Sequence, residues 1–245
     1  MTKTKLIYGL HTVRAFLKHH DAIEIFLQDG DSSRDYREII NYSKKQGIPI
    51  NLVSKKVLKE LSGGENHQGV IARIKETDKN SEDDLFTLVK KLETPAFLLI
   101  LDHIQDPHNL GACIRCANAA GVHAVIAPKD RASGLTPVVR KVASGGAELI
   151  PFIQVTNLAR TMNKLQQEGV WIIGADENAK EHIYETEMLG SIAVVVGAEG
   201  TGLRRLTKEH CDYLVHIPML GDVASLNASV AAGVILFEAV RQRMK

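Results

Sequence analysis

Five polar side chains stand in three small-residue turns that lie far apart in the chain. Asn109 and Arg115 belong to the first, Glu199 to the second, and Ser225 and Asn227 to the third. Each turn follows an apolar run and precedes a helical pattern, within Phe97 to Gly121, Val194 to Gly202 and His216 to Gly233. Loops at the carboxyl ends of neighbouring strands in an open α/β sheet converge on one crevice. The pattern therefore predicts one ligand site assembled from three remote places.

The residues between these side chains suit an adenosine-type ligand held largely by backbone. Gly197 carries no Cβ, so the chain can approach a ligand closely there. Ile217, Pro218, Met219 and Leu220 add apolar surface and free backbone groups. Leu226 and Asn227 open the final helix, with Ser225 as its N-cap. Two commoner nucleotide motifs are excluded. Gly197, Gly200 and Gly202 do not have the G-x-G-x-x-G spacing, and no G-x-x-x-x-G-K-[ST] occurs. Taken singly, each glycine is also what an ordinary turn would use.

The elements that must position these turns alternate strand and helix. Strands are predicted at Phe97 to Leu101, Ala124 to Ala127, Glu148 to Ile153, Val170 to Ala175, Ile192 to Gly197 and Tyr213 to Ile217. Helices are predicted at Leu110 to Ala120, Pro137 to Ala143, Leu158 to Glu168, Gly202 to Glu209 and Leu226 to Arg243. Short all-apolar strands such as Ala193 to Val196 imply a parallel sheet covered on both faces. Before them lies a smaller α/β pattern. It has helices at Gly9 to His19, Asp35 to Lys45 and Ser54 to Leu61, and strands at Ile23 to Leu27, Pro49 to Val53 and Gly69 to Ile74. The charged run KETDKNSEDD then reads as a linker, followed by an amphipathic helix through Leu85, Leu88, Val89 and Leu92. The expected domains are 1–75, a linker and opening helix at 76–95, and 96–245.

Charge and cysteine content bound the function more weakly. A formal net charge of +1 over 245 residues gives no global pull on nucleic acid. Local basic clusters at Lys129 and Arg131, Arg140 and Lys141, and Arg204 and Arg205 make either a phosphate-tracking stripe or a solvated face. Cys113, Cys116 and Cys211 are too few and too odd in number for a disulfide framework. The C-x-x-C formed by the first two falls in a helical pattern and reads as small core residues. His103 and His108 beside Asp102 and Asp106 match no established ligand spacing, so no metal is expected. The amino terminus lacks the apolar core of a signal peptide, and no window approaches a membrane span, so a cytoplasmic protein is expected.

DPHNLGACIRCANAAG, VVVGAEGTGLRR and IPMLGDVASLNASVAAG, in that order, resemble the three motifs of the SpoU (TrmH) family of RNA ribose 2′-O-methyltransferases. Similarity extends to YGLHTVRAFL, HQGVIARI, GVHAVIAPKDRASGLTPVVRKVASGGAE, VTNLARTM and FEAVRQR. These resemble the branch that methylates a guanosine in the peptidyl-transferase loop of large-subunit (23S) ribosomal RNA. The implied fold is α/β: a carboxyl-terminal SPOUT domain with a deep trefoil knot and a mostly parallel sheet, preceded by a small L30e-like RNA-binding domain. Knots are rare exceptions, and no periodicity could reveal one.

The resemblance also implies roles. S-adenosyl-L-methionine would be held at Gly197, Ile217, Met219, Leu226 and Asn227. Arg115 matches the family's catalytic arginine, either as general base or as an electrostatic clamp on phosphate and alkoxide. A guanidinium pKa above about 12 favours the clamp. Asn109 would orient Arg115 or the ribose, Glu199 would pair with Arg115 or orient the nucleophile, and Ser225 and Asn227 would complete a hydrogen-bonding floor. Asp222 and Ala228 depart from the expected third motif, and Asp222 puts fine cofactor affinity in doubt. Family members resemble one another in dimerising through the knot and last helix, and the stripe of Val230, Val234, Phe237 and Val240 fits either that or core packing. Two other functions stay open: the same chemistry on transfer RNA, and a non-catalytic RNA-binding factor for ribosome assembly.

Overall fold

The computed structural model describes residues 4–18, 20–30, 34–75 and 81–244. The chain divides into two compact units, Met1–Asp78 and Lys79–Lys245. Residues 76–80 of the expected linker lie outside the described residues.

The first unit runs β1 (Thr4–Tyr8), α1 (Leu10–Leu17), β2 (Glu24–Gln28), α2 (Arg34–Gln46), β3 (Ile50–Val53), α3 (Lys55–Leu61) and β4 (Val70–Lys75). Its sheet has the order β1-β4-β2-β3. β4 is antiparallel to both neighbours, and β2 pairs parallel with β3. Val13, Phe16 and Leu17 of α1 and Ile39 of α2 are buried together with Ile25, Leu27 and Ile71 of the sheet. β1 was not expected from the sequence. Only Ile7 of its residues is buried, because it is an edge strand whose signal is too weak to stand alone.

The second unit runs α4 (Glu82–Lys91), β5 (Phe97–Asp102), α5 (Pro107–Ala119), β6 (Ala124–Pro128), α6 (Pro137–Val142), α7 (Gly146–Leu149), β7 (Phe152–Val155), α8 (Leu158–Gln167), β8 (Trp171–Ala175), β9 (Glu181–His182), β10 (Ile192–Gly197), α9 (Arg205–Glu209), β11 (Tyr213–His216) and α10 (Ala228–Arg243). The sheet order is β7-β6-β5-β10-β8-β11-β9, with every neighbouring pair parallel. β10 explains why its run is wholly apolar. Val194 and Val196 face a core shared with α5 and α10, whereas Ala193 and Val195 face one shared with α4 and α8. Burial on both faces removes the alternation that a half-exposed strand would show.

Register brings the site together. Gly197 at the end of β10 lies level with Asp102 at the end of β5, and β8 and β11 flank β10 on the other side. The loops leaving these strands therefore emerge at one edge of the sheet. Several element boundaries differ from expectation: α5 starts at Pro107 rather than Leu110, and three further differences have local causes. The segment predicted as a strand from Glu148 instead makes the short helix α7, and β7 begins only after Pro151, which lacks an N–H for the ladder. α9 starts at Arg205 rather than Gly202, whose φ of 62° is left-handed and closes the preceding turn. α10 starts at Ala228, and its N-cap is Asn227 rather than Ser225.

Candidate active site at the carboxyl edge of the parallel sheet

Two cavities share the turn that follows β10. The first, of about 270 Å³, is lined by the ends of β8, β10 and β11, by Asp176 to Asn178, and by Ile217, Met219, Ser225 and Leu226. The second, of about 520 Å³, is lined by residues 102–106 together with Asn109, Arg131 and Arg204. Ala198, Glu199, Thr201 and Gly202 line both.

Glu199 sits at this partition and is held by two amides. Asn227 Nδ2 donates to Glu199 Oε2 at 3.1 Å and to Asn109 Oδ1 at 2.9 Å, and Asn109 Nδ2 donates to the same Glu199 oxygen at 3.4 Å. The orientation of Asn227 is set from behind. Its Oδ1 accepts from the Ser229 N–H at 2.9 Å and from the Ser229 hydroxyl at 2.7 Å, so its NH₂ must face Asn109 and Glu199. Capping α10 and aiming the amide at the carboxylate are thus one act. Asn109 is placed by α5, whose start is fixed by Asp106 accepting from the His108 N–H at 3.0 Å and by Pro107 in the first turn. Glu199 Oε1 has no partner among the described residues and remains open to a ligand hydroxyl.

The first cavity fits an adenosine-based sulfonium donor. Val196, Ile217 and Leu226 supply apolar lining, and the strand ends supply backbone groups. Asp176, Asn178, Thr201 and Ser225 supply hydrogen-bonding groups. Asp176 is already engaged, since the Lys208 ammonium lies 2.5 Å from its carboxylate. Burial pushes the Asp176 carboxyl up, but the Lys208 and Asn178 contacts outweigh it and hold it below the usual carboxylate range.

Several sequence expectations change. Gly197 lines the first cavity, but the reason no side chain is tolerated there lies behind it. A Cβ would fall inside the backbone of Gly202 and Leu203, so the missing side chain lets the turn fold back on its own strand. Glu199 is partnered by amides and not by Arg115. Arg115 lies on the exposed face of α5, lines neither cavity, and makes no hydrogen bond or ion pair among the described residues. Ser225 lines the first cavity but caps nothing. The Asp176 to Asn178 segment was missed, although it directly follows a predicted strand, which is where such sheets bind ligands. Arg131 and Arg204 figure in the sequence only as basic clusters, and Asp102 only as a metal-ligand candidate set aside. They now share the second cavity, where the Arg204 backbone N–H and Nε donate to Asp102 at 2.9 and 3.0 Å.

Comparison with known proteins identifies the family. The sequence profile of the SpoU rRNA Methylase family matches residues 96–237, and that for RNA 2′-O ribose methyltransferase substrate binding matches residues 6–79. The chain is 51% identical over 245 residues to the 23S rRNA (guanosine-2′-O-)-methyltransferase RlmB of Coxiella burnetii, covering 99% of this chain and 98% of that one. It is 51% identical over 242 residues to the enzyme of the same name from Escherichia coli, covering 98% and 99%. In fold it is similar to the SpoU methyltransferase AviRb from Streptomyces viridochromogenes, solved with AdoMet, at a TM-score of 0.76 and 24% identity, covering 99% of this chain and 91% of that one.

Proposed function

Because this chain belongs to the SpoU rRNA methylase family, we propose that it transfers a methyl group from S-adenosyl-L-methionine to the ribose 2′-hydroxyl of a guanosine in 23S ribosomal RNA. A guanosine of the peptidyl-transferase loop is the target implied by the sequence resemblance. The observation that carries the reading is the placement of Glu199, gripped by Asn109 and Asn227, on the partition between two cavities. One cavity suits the donor and the other has room for a nucleotide.

When bound, S-adenosyl-L-methionine supplies an electrophilic methyl group on a sulfonium. Gly197, Ile217, Met219 and Leu226 would hold it in the first cavity, whereas Asn227, expected to join them, lines neither cavity and acts through Glu199. The open oxygen of Glu199 accepts the hydrogen bond of the ribose hydroxyl and, as the oxygen becomes nucleophilic, its proton. Asn109 and Asn227 keep that carboxylate from turning away, and Ser225 extends the polar floor. Such positioning is worth up to roughly 7–11 kcal/mol in favourable intramolecular cases.

Arg115 enters this scheme through a second copy. Val230 and Phe237 of α10 are about half exposed, at 49% and 48%, on a helix that packs beside α5. A two-fold dimer through this face would bury them and carry Arg115 toward the partner's cavity, as a cationic clamp on phosphate or alkoxide. Among the described residues no helix is long and apolar enough to cross a membrane. A cytoplasmic location is proposed from the proposed action on ribosomal RNA alone.

The test is transfer of labelled methyl from S-adenosyl-L-methionine to unmodified 23S rRNA, with transfer RNA offered in parallel. Label in the ribosomal RNA alone is expected. Label confined to transfer RNA, or no binding of the donor at all, would contradict the proposal.

A further inference from the structure

We propose that Arg204, set in place by the buried carboxylate of Asp102, grips a phosphate of the RNA backbone in the second cavity, and that Asp102 and His103 act as positioning residues for that contact. This rests on the reading of the chain as an RNA ribose methyltransferase.

The donors and acceptors lining that cavity are unequally used. Three carboxylates line it, and each already has partners. Asp102 is fully buried and accepts from the Arg204 N–H, Arg204 Nε, His103 Nδ1 at 2.7 Å and the Thr207 hydroxyl. An ionised carboxylate only accepts, so His103 Nδ1 carries the proton of that bond. Asp106 caps α5, and Glu199 is held by Asn109 and Asn227. One oxygen each of Glu199 and Asp106 stays open, and the unclaimed charged donors are guanidinium groups. Arg204 spends only Nε on Asp102 and is 51% exposed, leaving both terminal nitrogens free among the described residues. Arg131, which lines the same cavity, makes no hydrogen bond or ion pair among them. A paired fork of unused guanidinium donors facing a nucleotide-sized space calls for an anion with several oxygens, and in RNA that is the phosphodiester.

Asp102 is what makes Arg204 a fixed rather than a wandering charge. It clamps both the backbone and the side chain of Arg204 to the end of β5, immediately beyond the turn that carries Glu199. His103 binds Oδ1 of the same carboxylate, the oxygen that also accepts from Arg204 Nε, from a left-handed backbone, φ 64°, that is uncommon outside glycine. The grip on phosphate and the seat of Glu199 thus share one anchor.

The experiment measures binding of an unmodified 23S rRNA transcript across a salt series, together with KM, kcat and donor affinity, for the whole protein and its variants. Arg204→Ala is expected to lower the slope of log K against log salt by about 0.7–0.9, one phosphate contact. It should raise KM for RNA and leave donor affinity unchanged. Arg204→Lys should keep the salt slope but not the KM, because an ammonium lacks the fork. Asp102→Asn should raise KM for RNA, and adding it to Arg204→Ala should change nothing further, since both remove one device. Arg205→Ala, whose guanidinium pairs with Glu209 at 3.7 Å, supplies the baseline for a neighbouring charge. An Arg204→Ala protein with wild-type slope and KM overturns the inference, as does an equal slope change in Arg205→Ala or additivity of Asp102→Asn with Arg204→Ala. If Asp102→Asn fails to fold, the two variants at the exposed Arg204 still decide the phosphate contact. Should the wild-type protein neither bind nor methylate RNA, the proposed function fails along with this contact; wild-type activity with an unchanged Arg204→Ala overturns the contact alone.

Discussion

Burial pushes the thiols of Cys113 and Cys211 up to about 12. Thiols held so far from ionisation are poor nucleophiles, and Cys116 is also raised, chiefly by burial. Native protein at pH 8 should therefore leave Cys113 and Cys211 unlabelled by iodoacetamide and label them after unfolding; rapid labelling of either in the native state would contradict this. Asp102 provides a pH prediction. Burial raises its carboxyl, but the Arg204 N–H, Thr207, His103 and the Arg204 charge together outweigh burial and lower it. A carboxyl lowered in the folded state contributes stability that is complete above the ordinary carboxylate range and is lost as pH falls through the lowered value. The acid limb of thermal stability should thus flatten in Asp102→Asn. Gly197→Ala should cost about 1–3 kcal/mol and abolish donor binding, because the added carbon displaces the turn of Gly202 and Leu203. Calorimetry with S-adenosyl-L-methionine and a thermal melt check both halves. That Gly197 stands at a strand end where a cavity opens was legible in the sequence. The reason for a glycine there was not, because close approach of a backbone five residues on leaves no pattern in composition.

α10 joins stability to chemistry through one residue. Asn227 caps the helix with its oxygen and holds Asn109 and Glu199 with its nitrogen. The two jobs separate on substitution. Asn227→Ser keeps a capping oxygen, so its stability should stay within a few tenths of a kcal/mol, whereas Asn227→Ala should lose about 1 kcal/mol. Methyl transfer should fall sharply in both; a serine variant with full activity would remove the amide from the mechanism. At this scale the buried strands were legible because they are short, apolar and bounded by turn residues. The failures have local causes. Pro151 stopped β7 from starting at Glu148, and two good N-cap types, Ser225 and Asn227, stood close enough that only the observed bond to Ser229 separates them.

At the scale of the molecule, convergence of the three turns was readable, since a parallel sheet places its loops at one edge, and Asn109, Glu199 and Asn227 do meet there. Arg115 was not placed by the same logic. It sits on the outward face of α5, and a single sequence does not say which copy a surface residue serves. If Arg115 acts on the partner's cavity, a mixed dimer of one Arg115→Ala subunit and one Asn109→Ala subunit should recover one working site, although each homodimer is inactive. A mixed dimer as inactive as its parents would return Arg115 to its own subunit or remove it. The central claim is narrower: one carboxylate, set between two cavities by two amides, activates a ribose hydroxyl of 23S rRNA. Its most direct test is mass-spectrometric mapping of unmodified 23S rRNA after incubation with S-adenosyl-L-methionine and either the wild-type protein or Glu199→Gln. Wild type should leave a single 2′-O-methylguanosine and Glu199→Gln almost none. A methyl group on a base, or undiminished ribose methylation by Glu199→Gln, would contradict it.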